Sequence, residues 1–144
     1  MKFIIKDNSQ EPKMLPMEGR AQNGDYYQVN SKYLIKNGSP FLPVMGEFHF
    51  SRWHPDEWEE AILKMKAGGV DIAATYVFWI HHEERQGEFD FTGSRNLRRF
   101  LETCKELDMP VWLRIGPWCH GEARNGGFPD WIAKGGFPLR QNHP

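Results

Sequence analysis

From residue 33 onward, short unbroken apolar runs alternate with stretches in which apolar residues recur every three or four positions. Tyr33-Leu34-Ile35-Lys36, the pair Asn37-Gly38 and Pro40-Phe41-Leu42 read as strand, tight turn and strand, because Asn-Gly accepts the positive φ angles of a type I′ turn. The run Val44 to Phe50, with polar Glu47 and His49 near its end, predicts the first core strand. Pro55 then suits the first turn of a helix, Asp56 and Glu57 favour its positive end, and Trp58, Ile62 and Met65 share one face. Glu60 and Lys64 stand four apart on its outer side, and Gly68-Gly69 predicts its cap. Val70 to Trp79 is a nearly continuous apolar run, the pattern of a strand buried on both faces. After a loop from His81 to Phe91, Ser94 offers an N-cap, and Leu97, Phe100, Leu101, Cys104 and Leu107 keep helical spacing. Pro110 to Trp118 is a third apolar run. Residues 1–30 mix Pro, Gly, Asn and charge with no sustained period, and read as an N-terminal arm.

The order is β-α-β-α-β, which predicts an α/β fold with parallel strands. A doubly wound sheet and a β/α barrel both give this order. No glycine-rich phosphate loop follows any strand, whereas polar and aromatic residues cluster after each strand's C-terminal end, so the barrel is favoured. A (β/α)₈ TIM barrel takes about 250 residues. Residues 31–144 are therefore expected to be the N-terminal portion of such a barrel, roughly its first three βα units behind a short β-hairpin.

Composition narrows the class. With 18 basic against 19 acidic residues the net charge is −1, and no basic block offers a nucleic acid its counterion-release footprint. No run of 18 apolar residues can span a bilayer. Only three apolar residues precede the return of charge at the N-terminus, too few for a secretory signal, and localisation is left unassigned. Cys104 and Cys119 are expected to be free thiols. Six Trp in 144 residues suggest either an aromatic core or flat faces for a carbohydrate, whose C–H faces pack on rings.

The chemistry-bearing residues fall in three sets. Glu47, His49, Ser51, Arg52, Trp53 and His54 follow the first strand; Tyr76, Trp79, His81, His82, Glu83 and Glu84 follow the second; Arg114, Trp118, His120 and Glu122 follow the third. A barrel brings all three to one rim, where its active site sits. Taken singly, His49 also reads as a satisfied core histidine and His81 to Glu84 as a solvated loop. No His-Glu-x-x-His spacing occurs and adjacent loop histidines need not point the same way, so no metal is expected; no cofactor is expected either. Cys119 and His120 are sequence neighbours, a poor geometry for a nucleophile and its base.

Gly46-Glu47-Phe48-His49-Phe50-Ser51-Arg52, Thr75-Tyr76-Val77-Phe78-Trp79, His82-Glu83, Gly87-Glu88-Phe89-Asp90-Phe91, Arg114-Ile115-Gly116-Pro117-Trp118 and Gly126-Gly127-Phe128-Pro129-Asp130-Trp131 stand in order between about residue 32 and about residue 136. Together they resemble the N-terminal blocks of glycoside hydrolase family 35, the β-galactosidases. The resemblance implies a (β/α)₈ barrel, a terminal β-linked sugar as substrate, and retaining hydrolysis by two glutamates. It places both glutamates beyond these blocks, the acid/base one in an Asn-Glu block that these 144 residues do not contain. No catalytic residue is therefore expected within the chain, which is read as a fragment inactive on its own. The resemblance implies that Tyr76 and Glu122 contact the sugar, with His120 and Gly121 in the neighbouring binding positions. Without it, Tyr76 reads as a buried strand residue and Glu122 as a rim carboxylate paired with Arg124. Ala74, Ile80, Glu84 and Ala123 depart from the family's usual Glu or Gln, Asn, Pro and Trp, which leaves the sugar open. The family's members are often secreted, periplasmic or lysosomal. A non-catalytic carbohydrate-binding or remnant module is the alternative reading, and the open sheet of an incomplete barrel is expected to self-associate.

Overall fold

The structure, a computed structural model, describes residues 10–139 and 141 of the 144. The chain divides into two compact units between Leu42 and Pro43. The first is an antiparallel sheet in the order β1 (Met14–Arg20), β2 (Tyr26–Asn30), β3 (Leu34–Lys36) and β4 (Ser39–Phe41). Asn37 and Gly38, at φ 51° and 81°, close the β3–β4 hairpin with the positive angles expected of them. Strands β1 and β2 replace much of the expected arm, whose first nine residues lie outside the described ones. β1 is exposed along its whole length and its pairing with β2 is interrupted by a bulge, so it carries no apolar alternation to read.

The second unit holds a parallel sheet in the order β5 (Met45–Glu47), β6 (Ile72–Tyr76) and β7 (Val111–Arg114). Helix α1 (Trp58–Ala67) connects β5 to β6; α2 (Trp79–His82) and α3 (Leu97–Glu106) connect β6 to β7; α4 (Asp130–Lys134) follows. β6 is buried throughout, as its apolar run predicts. The ladders are shorter than the predicted strands 44–50, 70–79 and 110–118. Apolarity marked burial rather than pairing: Phe48, Phe50 and Phe78 are buried after their strands end, in turns that build the rim. Part of the expected loop after residue 80 is the last turn of α2.

Gly69, at φ 87°, follows α1, and Glu60 pairs with Lys64 on its outer face. Helix α3 starts differently from expectation. Ser94 lies in a separate 3₁₀ turn, and Asn96 is the N-cap, its side-chain oxygen accepting from the Arg99 N–H at 3.0 Å. Trp58, Ile62, Phe100 and Cys104 from the two helices meet Phe48, Phe50, Ala73 and Met109 in one core, and Trp58 Nε1 donates to the Phe50 carbonyl at 3.0 Å. Ala73 and its register partner Val111 face that core. Strand alternation then puts Met45, Glu47, Ala74, Tyr76, Trp112 and Arg114 on the opposite face of the sheet. That face is open in part, with Met45 44% and Trp112 50% exposed. Among the described residues no helix is long and apolar enough to cross a membrane.

Candidate functional site

Parallel pairing brings the C-terminal ends of β5, β6 and β7 to one edge, and Glu47, Tyr76 and Arg114 are the last residues of those strands. Tyr76 and Arg114 are register partners, and the guanidinium carbon of Arg114 lies 3.7 Å from the centre of the Tyr76 ring. Arg114 also forms an ion pair with Glu47. Tyr76 is buried against His49 and Phe78, with ring centres at 5.7 and 5.8 Å, and its hydroxyl makes no hydrogen bond among the described residues.

The segment after β7 folds back over these rings. A Cβ on Gly121 would stand 2.6 Å from Phe78 Cζ and 3.2 Å from Tyr76 Cδ2, so only a glycine lets the backbone approach this closely. The Gly121 carbonyl accepts from the Arg52 guanidinium, which lies over the Phe78 ring at 4.9 Å. Glu122 follows in a left-handed conformation (φ 54°), exposed and without a hydrogen bond or ion pair among the described residues. The anticipated Glu122–Arg124 pair does not form. Arg124 pairs instead with Asp130 of α4 at 3.1 Å, a partner that the spacing gave no reason to choose. Glu122, Arg52, His81, Glu84, Arg124 and Asp130 border a polar cleft of about 520 Å³.

The structure thus brings together Tyr76, Gly121 and Glu122. His120 is apart: it is exposed, and its Nε2 accepts from Trp118 Nε1 at 3.2 Å. Phe78 and Arg52, which set the position of Gly121, were visible in the sequence as an apolar run and a rim cation, but spacing could not show that a loop far along the chain, 69 residues after Arg52, would rest on them.

The remaining rim groups mostly hold the loops. Glu83 takes hydrogen bonds from Trp79 Nε1 and the Gly87 N–H, and its carbonyl accepts from Trp131 Nε1 at 3.1 Å. Glu84 pairs with Arg95 at 2.8 Å, and Arg95 with Asp90. Hydrogen bonds from the Thr92 hydroxyl, its N–H and Arg95 hold the Asp90 carboxyl down at about 2. His82 Nδ1 donates to the Asp90 carbonyl at 3.0 Å, and its ring stacks on Phe91. Ser51 Oγ and His81 Nδ1 are 3.1 Å apart. Burial lowers the pKa of His49, His81 and His82, with Arg52 adding to the first two and Arg95 to the last two. Both cysteines are free and buried; burial pushes Cys104 up to about 12 and raises Cys119. Among the described residues no three His, Cys, Asp or Glu side chains are grouped to hold a metal ion.

A cleft of about 520 Å³ in a parallel α/β unit lies within the size range of small-molecule sites. Residues 33–144 match the profile of Glycosyl hydrolases family 35, and the chain belongs to that family. It is 36% identical over 121 residues to the beta-1,2-glucosyltransferase of Ignavibacterium album, covering 78% of this chain and 17% of that protein. To beta-galactosidase 6 of Oryza sativa subsp. japonica it is 39% identical over 113 residues, covering 78% of this chain and 13% of that protein. To the exo-beta-D-glucosaminidase of Thermococcus kodakarensis it is 40% identical over 109 residues, covering 73% of this chain and 14% of that protein. The chain spans less than a fifth of the length of these relatives.

Proposed function

We propose that residues 43–144 are opening βα units of a (β/α)₈ barrel, and that their rim recognises a terminal β-linked sugar, galactose being the first candidate. Two crossover helices packed on one face of three consecutively ordered parallel strands are what such a barrel repeats, and the open face carrying Met45 and Trp112 is the kind of surface that further strands would cover. The observation that carries the functional reading is the placement of Glu122. A carboxylate with no partner among the described residues borders a polar cleft, one residue from a glycine resting on Tyr76. Such a group accepts hydrogen bonds from sugar hydroxyls, and the Tyr76 hydroxyl adds a donor or acceptor.

Hydrolysis with retention needs two carboxyl groups about 5–5.5 Å apart across the scissile bond. Glu47, Glu83 and Glu84 are each engaged by a cation or by N–H donors. We place the acid/base and nucleophile outside these residues and expect no turnover from the 144-residue chain. The same engagement favours a second reading, a carbohydrate-binding module without catalysis. The relatives' names include galactosidase, glucosaminidase and glucosyltransferase, so the sugar is tested directly.

Methyl β-galactoside, methyl β-glucoside and methyl β-glucosaminide are titrated into the chain by calorimetry or NMR, with a chromogenic β-galactoside assay alongside. Glu122→Gln is expected to weaken the preferred sugar by about 1.5–3 kcal/mol, roughly tenfold to over a hundredfold, with stability changed by no more than about 0.5 kcal/mol. Unaltered binding removes Glu122 from the site. Turnover that co-purifies with the chain and vanishes in Glu122→Gln would instead make Glu122 catalytic.

A further inference from the structure

We propose that Arg114, held by Glu47, is a positioning residue that fixes the Tyr76 ring and thereby the direction of its hydroxyl. The inference rests on the reading of Tyr76 as a sugar contact and adds two residues to the recognition machinery. β6 ends at Tyr76 and β7 at Arg114, and these two are register partners on the open face of the sheet. At 3.7 Å from guanidinium carbon to ring centre, the cation lies over one face of the ring. Such contact is attractive through the ring's negative face, and more so where water is excluded; Tyr76 is only 8% exposed.

The cation is itself tied down. Glu47 ends β5, one strand beyond β6, and its carboxylate pairs with Arg114 across the intervening strand. The β6 residue level with Glu47 is Ala74, whose single methyl group does not obstruct a side chain passing over it. Among the described residues the buried Arg114 Nε has no hydrogen-bond partner, and the ion pair and the ring are the contacts that hold the guanidinium. The Gly121 backbone bounds the ring edge at Cδ2. A ring confined on one face and at one edge cannot turn freely, while its hydroxyl, unpartnered among the described residues, stays available to a ligand. Three strand ends therefore build one device: carboxylate, guanidinium and phenol ring in sequence, the last presenting a fixed polar tip.

Four variants of the chain, Tyr76→Phe, Arg114→Leu, Arg114→Lys and Glu47→Gln, are titrated with the same three methyl β-glycosides while the Tyr76 ring protons are followed by NMR. In the parent chain a confined ring gives separate resonances for its two sides; Arg114→Leu is expected to merge them by fast flipping. Affinity should fall roughly fivefold to thirtyfold in Arg114→Leu, the scale of one water-excluded cation–ring contact, with a smaller fall in Glu47→Gln and partial recovery in Arg114→Lys. Should Arg114→Leu fail to fold, Glu47→Gln and Arg114→Lys carry the same comparison. If Tyr76→Phe weakens binding while the Arg114 and Glu47 variants leave both affinity and ring flipping unchanged, the positioning role is overturned and the sugar site stands. If Tyr76→Phe binds as the parent does, or no sugar binds, the underlying site reading falls and the proposal with it.

Discussion

Gly121 is held where a side chain has no room. The Phe78 ring it rests on is fully buried, bounded by Arg52 above and by His49 edge-on at 5.3 Å. Adding one methyl group in Gly121→Ala forces that ring or the loop to move. We expect a loss of about 1–3 kcal/mol, the usual cost of overpacking, measured as a shift in the urea midpoint with an unchanged slope. An unchanged midpoint would show that the loop yields freely. At this scale the sequence was partly legible. Tyr76 and Glu122 fell among the polar and aromatic residues at or beyond the ends of apolar runs, where a parallel sheet exposes its rim, but only the family resemblance singled them out as sugar contacts. His120 belonged to the same polar set after the third run, and the resemblance put it with Gly121 in the neighbouring binding positions. Spacing does not reveal a loop residue's contacts: His120 is held by the Trp118 indole N–H and is not among the residues bordering the cleft.

Helix α3 shows what a periodic element does and does not reveal. Its apolar spacing located the helix and its buried face correctly, Phe100 and Cys104 being fully buried, because burial of one stripe enforces that spacing. Its start was misplaced by two residues, since Ser94 and Asn96 are both good caps and a local 3₁₀ turn over Gly93–Arg95 decides between them. Asn96→Ala should cost about 1 kcal/mol in denaturant unfolding, whereas Ser94→Ala should change little. Equal effects would mean that the Asn96 oxygen bonded to the Arg99 N–H contributes nothing to the cap. Strand β1 was illegible for the opposite reason. A strand exposed on both sides is specified by its partners' backbone and by polar contacts such as the Tyr26 hydroxyl donating to Glu18, none of which leaves an alternating pattern.

For the molecule as a whole, two consequences follow from surfaces and charges that no single element contains. β5 and β7 each have a neighbour on one side only among the described strands, and the sheet face beside them exposes Met45 and Trp112. Unpaired edges next to an apolar face promote association, so the isolated chain should sediment as oligomers at micromolar concentration, and Trp112→Lys should shift it toward monomer. A monomeric parent chain would count against the open face as a covered surface. Between pH 6.5 and 4.5 the three histidines of the rim are expected to make stability depend on pH. His49 faces Arg52; His81 faces His82, Arg95 and Arg52, opposed by Glu84; His82 faces Arg95, opposed by Asp90 and its carbonyl. Burial lowers all three below the ordinary value of 6.5, so the unfolded chain binds protons more readily than the folded one. Their contribution is therefore complete above about pH 6.5 and is lost as pH falls from there toward the folded values. The carboxylates with lowered pKa, Asp25, Glu60 and Asp90, start from 4.5 or below and add their losses only in stronger acid. Melting temperature should thus decline between pH 6.5 and 4.5, with a shallower decline in His81→Gln, which keeps a polar partner for Ser51 but removes one titrating group. A melting temperature flat across that interval would show that the rim histidines take up protons as readily folded as unfolded.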